Sequence, residues 1–258
     1  MRAIELKEKW RAGAPSPGMW IRYTDPTIPE SIATLGFDWV MIDAEHSAID
    51  LQPLQAMFMA LKGSVTLPFV RVPGNDHYYM KRLLDAGCAG VLVPHINSLQ
   101  DARAAIAACK YPPQGIRGAG RRRPSDYMRN VKDYFSTANE ATFVLLMIET
   151  VGAMEDIDAI LELEGLDGIF FGPTDLAMSM GLLGDKSAPE VKRAIRNVME
   201  KARAAGVPFS SRMPVVPDVE EWLDLGVQLV IISDDQKSVM GNAEAALERF
   251  QGVMAQRS

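Results

Sequence analysis

Residues 37–47 read FDWVMIDAEHS, an apolar run that ends in three ionisable side chains. Trp39, Val40, Met41 and Ile42 show no polar alternation, so the run reads as a strand enclosed on both faces, as in a parallel sheet covered by helices. Asp43, Glu45 and His46 arrive at its C-terminal end. That is the end at which parallel α/β barrels carry their chemistry. Burying charge without a partner is costly, so the cluster needs a reason, and catalysis is a candidate.

Outward from this stretch the same beat of apolar strand, short link and helix repeats. Candidate strands cover residues 19–23, 39–43, 68–72, 90–95, 143–149, 168–171, 208–212 and 229–233. Helical patterns cover 51–61, 78–86, 99–109, 151–163, 189–205, 218–225 and 238–254. Gly36, Gly87, Gly206 and Gly226 stand just ahead of strands, where a helix is expected to end on glycine. Eight strands alternating with helices predict an α/β fold of the TIM (β/α)8 barrel type rather than a doubly wound sheet. The expectation is a single domain over residues 1–258, with an extra N-terminal helix at 3–11 closing the bottom. The longest irregular stretch, YPPQGIRGAGRRRPSD at 111–126, lies after the fourth helix, and long loops in compact domains are usually functional.

Composition narrows the classes of partner. The chain has 258 residues, 48% apolar, with a formal charge of −6. An acidic balance argues against nucleic acid or an anionic membrane. No long apolar span is present, and the opening MRAIELKEKW is amphipathic, unlike a signal peptide. Cys88 and Cys109 lack metal-type spacing and suit packing in a reducing compartment, so a cytoplasmic location is expected.

The candidate site residues follow from strand ends. Glu149 closes FVLLMIE, and Asp175 closes GIFFGPTD 26 residues later. Neighbouring strands stand roughly 5 Å apart, so these carboxylates can converge. With no histidine or thiolate beside them in sequence, they favour a hard divalent cation, Mg²⁺ or Mn²⁺, with water and substrate oxygens as further ligands. Capping of the helices that follow is the competing explanation. Arg71 ends PFVR, where it could bind a developing oxyanion or pair with Asp43 or Glu45. His46 could move protons near neutral pH, oriented by Asp43 or by Asp85 of LLDAG, or could be a satisfied structural histidine. No proposed strand contains a lysine, and Lys237 falls just past the eighth, which argues against a Schiff-base route. The loops after the seventh and eighth strands lack the glycines that wrap a phosphate.

IDAEH at 42–46, VRVP at 70–73, LLDAG at 83–87, LVPHIN at 92–97, YPPQGIRG at 111–118, MIET at 147–150 and FGPTDL at 171–176 resemble the HpcH/HpaI aldolase family. These are metal-dependent class II pyruvate aldolases of the 4-hydroxy-2-oxoheptanedioate aldolase type, and the likeness runs from about residue 18 to 250. The resemblance implies a divalent metal on Glu149 and Asp175, with Co²⁺ or Zn²⁺ as further options beside Mg²⁺ and Mn²⁺. It implies pyruvate chelating that metal, with its carboxylate against backbone N–H groups around Gly172, Thr174 and Asp175. It assigns the enolate oxygen to Arg71 and proton handling to His46 with Asp85 or Asp43. It places Trp20 in the wall of the aldehyde pocket, and it implies a homo-oligomer, commonly a hexamer that exchanges its final helix. The reaction implied is reversible cleavage of a 4-hydroxy-2-oxo acid to a small 2-oxo acid and an aldehyde. Oxaloacetate decarboxylation or citrate-type condensation on the same metal–enolate site is the alternative, and a non-catalytic small-acid binder a third.

Three departures from the family pattern bear on substrate. Met147 stands where many relatives carry glutamine, and His95 where many are apolar. Ser210, Ser211 and Arg212 make the seventh strand end polar, which suggests an acidic acceptor. Arg121, Arg122 and Arg123 either contact substrate across a subunit boundary or form a solvated face.

Overall fold

A computed structural model describes residues 2–210 and 219–257. The chain opens with α1 (Arg2–Arg11), then β1 (Ser16–Ile21), α2 (Thr27–Ala33), β2 (Trp39–Asp43), α3 (Leu51–Ala60), β3 (Leu67–Arg71), α4 (His77–Ala86), β4 (Gly90–Val93) and α5 (Leu99–Cys109). After the long loop come α6 (Val131–Ala141), β5 (Phe143–Ile148), α7 (Val151–Glu155), α8 (Ile157–Leu161), β6 (Gly168–Phe171) and α9 (Pro173–Ser179). The chain continues through α10 (Pro189–Ala204), α11 (Val219–Asp224), β7 (Leu229–Asp234) and α12 (Asp235–Ala255).

Among the described residues the strands form one curled, seven-stranded sheet in the order β6-β5-β4-β3-β2-β1-β7, every pair parallel. This is the α/β architecture of a TIM-like barrel, but strand ladders do not close the ring. The expected seventh strand at 208–212 contributes only isolated bridges, Ile169 to Phe209 on one side and Ser210 to Leu229 on the other. Residues 211–212, Arg212 included, lie outside the described residues. Positive φ at Gly36, Gly87, Gly206 and Gly226 meets the expectation for helix ends.

Side-chain alternation sorts the strands into two cores. Trp20, Trp39, Met41, Phe69, Phe143 and Phe170 face the inside of the curl, where Trp10 of α1 joins them. Val40, Ile42, Val70, Val91, Val144 and Ile148 face the helices. With both faces apolar, period-2 alternation is absent from the composition of each strand but present in its geometry. Inward columns therefore run Trp39–Met41–Asp43, Phe69–Arg71 and Phe143–Leu145–Met147–Glu149, each ending in an ionisable group at the strand's C-terminal end.

Some local expectations shift. β1 begins at Ser16, three residues early, because Pro17 and Gly18 read as breakers. A Cβ at Gly18 would overlap the Trp39 indole, so the strand needs glycine there to let the tryptophan fill the barrel. The expected helix 151–163 breaks at Asp156, α12 starts three residues before 238, α2 was anticipated only by its glycine end at Gly36, and α6 was not anticipated. The described residues contain no helix long and apolar enough to cross a membrane.

Candidate active site

At the C-terminal ends of the strands lies a cavity of about 880 Å³. Asp43 and Arg71 sit at its floor as direct register partners on β2 and β3. Arg71 donates from Nε to Asp43 Oδ1 at 3.0 Å and from Nη2 to Oδ2 at 2.6 Å, while Nη1 stands 2.9 Å from Glu45 Oε2. Trp20 lies beneath, its indole N–H donating to Asp43 Oδ2 at 3.2 Å and its ring 5.0 Å from the guanidinium. Burial alone would raise the Asp43 carboxyl, but Arg71's hydrogen bonds and charge hold it below the usual range. Burial pushes Glu45 the other way, upward, against the pull of Arg71, His46 and His95.

Glu149 follows β5 and is 2% exposed. Its Oε1 accepts the His95 backbone N–H at 2.8 Å. His95 adopts φ 53°, a left-handed conformation unusual outside glycine, and its ring spans two acids: Nδ1 is 3.7 Å from Glu149 Oε1 and Nε2 is 3.3 Å from Glu45 Oε1. On the other side Glu149 abuts Gly172, where a Cβ would overlap the carboxylate. Burial, aided by the negative charges of Asp175 and Glu45 and opposed by the His95 N–H, raises the Glu149 carboxyl to about 7.

A place at a helix start accounts in part for Asp175, which complements the first turn of α9, but not for Glu149. Thr150 caps α7, accepting the Ala153 N–H, so Glu149 is free of that duty. Asp175 lies inside the first turn of α9, with Gly172 at the cap position. Among the described residues no three His, Cys, Asp or Glu side chains form a ready cation cage. What the site holds instead is a buried carboxylate with one amide donor and acidic neighbours. That donor set fits a hard divalent cation whose other ligands are water and substrate oxygens.

The remaining candidates divide. Met147, Gly172 and Thr174 line the cavity as expected, and His46 lines it with a side chain 59% exposed. The His46 ring faces Glu45 Oε2 at 3.6 Å, whereas Asp43 takes only the His46 backbone N–H, at 3.2 Å. Asp85 is not brought to His46. It pairs with Arg117 at 2.8 Å and borders a separate pocket with Arg121, Arg122 and Arg123. An acid near the C-terminus of α4 points to the wrong end of its own barrel, so the expected dyad is not formed within the chain. Trp20 is fully buried and supports Asp43 and Arg71 from below rather than walling the cavity.

The sequence missed Arg22 and Lys186 as cavity residues, and it noted Lys237 without placing it there. Arg22 pairs with Asp234 and approaches Asp43 Oδ2 at 3.6 Å. No described strand carries a lysine, and Lys186 and Lys237 are exposed at the mouth. The buried lysines, Lys7 and Lys110, sit at the opposite end against Asp167. The buried amine that a Schiff base needs is therefore absent from the cavity among the described residues.

Comparison with known proteins agrees with the geometry. The chain is 39% identical to the 5-keto-4-deoxy-D-glucarate aldolase of Enterobacter sp. (strain 638) over 218 residues, covering 84% of this chain and 85% of that one. A crystal structure of an HpcH/HpaI aldolase/citrate lyase family protein from Burkholderia cenocepacia J2315 superimposes with TM-score 0.89 at 29% identity, over 96% of this chain and 99% of the other. Citrate synthase SbnG matches at TM-score 0.85 and 30% identity, over 96% and 97% of the two chains. The family model for HpcH/HpaI aldolase/citrate lyase matches residues 17–241. The chain belongs to that family and is an enzyme of the aldolase and lyase class.

Proposed function

We propose that the protein is a divalent-metal-dependent aldolase that reversibly cleaves a 4-hydroxy-2-oxo acid to pyruvate, or a close 2-oxo acid, and an aldehyde. The observation that carries this reading is Glu149: a buried carboxylate beside Asp175 and Glu45, with a single amide donor, at the end of an inward strand column. Glu149 and Asp175 would hold Mg²⁺ or Mn²⁺. A cation there supplies Lewis-acid polarisation of the 2-oxo group and a template for the substrate oxygens.

The chain's own residues then divide the work. Arg71 has five N–H donors, of which three face Asp43 and Glu45, leaving one on each terminal nitrogen for an oxyanion. Its two carboxylate partners fix the direction of those donors before substrate arrives, as electrostatic preorganisation requires. His46, half-exposed at the mouth, takes the C4 hydroxyl proton as the carbon–carbon bond breaks and returns one in synthesis. Gly172 and Thr174 flank the 2-oxo acid carboxylate, and Met147 presents an apolar surface beside it.

Phe209 and Ser210 bridge β6 and β7, which supports an eighth stave between those strands in one barrel domain. The working form is a cytoplasmic homo-oligomer. Support comes from α12, whose Val239, Met240, Leu247, Phe250 and Val253 are 43–64% exposed, a stripe that a second subunit would cover. Oxaloacetate decarboxylation or citrate-type condensation on the same metal–enolate site is the second reading, the condensation favoured by the match to citrate synthase SbnG.

The test uses Glu149→Gln and Asp175→Asn with Mg²⁺ or Mn²⁺, pyruvate and an aldehyde panel. Loss of either acid is expected to abolish cation uptake and to cut chelator-sensitive aldol turnover about 10³-fold or more. Variants that keep both cation uptake and turnover overturn the assignment. Oxaloacetate loss without aldehyde turnover moves it to the second reading.

A further inference from the structure

A second cavity, of about 480 Å³, lies at the other end of the barrel, where α3, α4 and α6 meet the starts of β3 and β4. It shares no lining residue with the cavity that holds Asp43 and Arg71. Its walls are largely apolar, formed by Phe58, Leu61, Leu67, Leu84, Ala138 and Ala141, and its volume falls in the range of small-molecule sites. Three cations border it, Lys62, Arg117 and Arg123, and among the described residues a single acid, Asp126. Lys62 and Asp126 are both exposed and stand 3.7 Å apart. The two arginines therefore have no acid of their own in the cavity wall.

Arg117 is the more telling of the two. It belongs to YPPQGIRG and is 2% exposed. One Nη2 donor is spent on Asp85 Oδ1 at 2.8 Å, and the guanidinium stands 4.5 Å from the Tyr111 ring. Its Nε–H is buried with no acceptor, and so is that of Arg123. A buried donor left unmade is costly, and more so on a charged group. Asp85 does not make up the deficit, because it also borders the neighbouring pocket of Arg82, Arg121 and Arg122. Nor is the segment loose. Ile116 and Arg117 donate their backbone N–H groups to Ala107 and Lys110 at 2.8 and 2.9 Å, and a Cβ at Gly115 would strike both of those carbonyls. The guanidinium is thus held at the cavity by its backbone.

We propose that this cavity is a binding site for a small carboxylate with an apolar body, the carboxylate taken by Arg117 and the body by the surrounding leucines and Phe58. A guanidinium with a free Nε–H is suited to a carboxylate, and burial strengthens that bond. Arg123 adds positive charge to the wall. The site is separate from the catalytic cavity and independent of the aldolase reading. An occupant would tie the long loop to α3, α4 and α6.

The experiment titrates the full chain by calorimetry with 3-phenylpropanoate and 4-methylpentanoate, and with their primary amides as neutral controls. At least one acid is expected to bind with a dissociation constant below about 1 mM, about tenfold or more tighter than its amide. Arg117→Met removes that preference. Because Arg117 is buried against Asp85, circular dichroism checks the fold, and Ala141→Phe is the second variant. It fills the cavity, keeps both arginines and should weaken acid and amide alike, by about tenfold or more. Saturating pyruvate with Mg²⁺ should leave the acid's affinity unchanged. Failure of both acids to bind, equal binding of acid and amide, affinity that survives Ala141→Phe in folded protein, or displacement by pyruvate with Mg²⁺ each overturns the site. None of these results bears on whether Glu149 and Asp175 hold a cation.

Discussion

The two ends of the sheet both bury charge, and they settle it in opposite ways. At the N-terminal end Lys7 Nζ is 2.7 Å from Asp167 Oδ1, with Lys110 3.7 Å from Oδ2. Both lysines donate to the Thr142 carbonyl at 2.7 Å, Lys110 also to that of Asn139, and Asp167 accepts the Val144 N–H at 2.9 Å. Every charged group there has partners, and the cluster locks α1 under the barrel. At the C-terminal end Glu149, Glu45, Asp43 and Asp175 have Arg71, two histidines and, 3.6 Å from Asp43, the Arg22 that pairs with Asp234. One end is saturated by the chain itself. The other keeps an excess of negative charge, and that surplus is what a bound cation would answer.

Breaking the contrast at its most consequential point means removing Arg71. Arg71→Met leaves Asp43 and Glu45 buried without their cation and strips the oxyanion donors. A fall in kcat/KM of about 10²–10³-fold is expected in a pyruvate–aldehyde condensation assay. Arg71→Lys should recover little, because an ammonium cannot hold two acids and still aim a fixed pair of donors.

A smaller effect is expected from Gly172→Ala. The added methyl overlaps Glu149's carboxylate and must displace it. Cation affinity should weaken about tenfold or more with the fold intact, read from metal titration alongside circular dichroism. Unchanged affinity would mean that Glu149's placement against Gly172 is irrelevant to the cation.

The smallest effect sharpens the saturated end. Burial lowers the Lys7 amine from 10.5 to about 7, despite the opposing pull of Asp167. A base lowered in the folded state binds fewer protons folded than unfolded between those values. Stability should therefore rise with pH from about 7 toward about 10, by up to about 1.4 kcal/mol per pH unit. Lys7→Met should flatten that rise in thermal unfolding curves, leaving only what Lys110, also lowered by burial, contributes. An unaltered slope would show that Lys7 is not the buried group that titrates.

Most of the fold was legible because its strands are apolar on both faces and its helices end on glycine. What escaped the sequence has local causes. β1 was misjudged because Gly18 looks like a breaker until Trp39 is seen to need its space. α6 was missed even though Val131, Tyr134, Phe135 and Ala138 stand at helical spacing; of these only Ala138 is buried. At the cavity end, the inward direction of Asp43, Arg71 and Glu149 was readable from strand ends, where alternation fixes it, whereas Asp175 stands in the first turn of α9 and owes its place to that helix. Asp85 misled because a helical acid carries no such direction, and Lys186 was overlooked because a loop offers no periodicity at all.

The register of β2 against β3 carries one more implication. Asp43 and Arg71 meet only because both stand at the same level on the inward face. Slipping a single residue into either strand would exchange its two hydrocarbon faces at modest expense to burial, yet rotate the charged tip into the helix layer. Inheritance of this chain through insertions and deletions is thus policed at these strands by chemistry, where greasiness alone would let such errors pass.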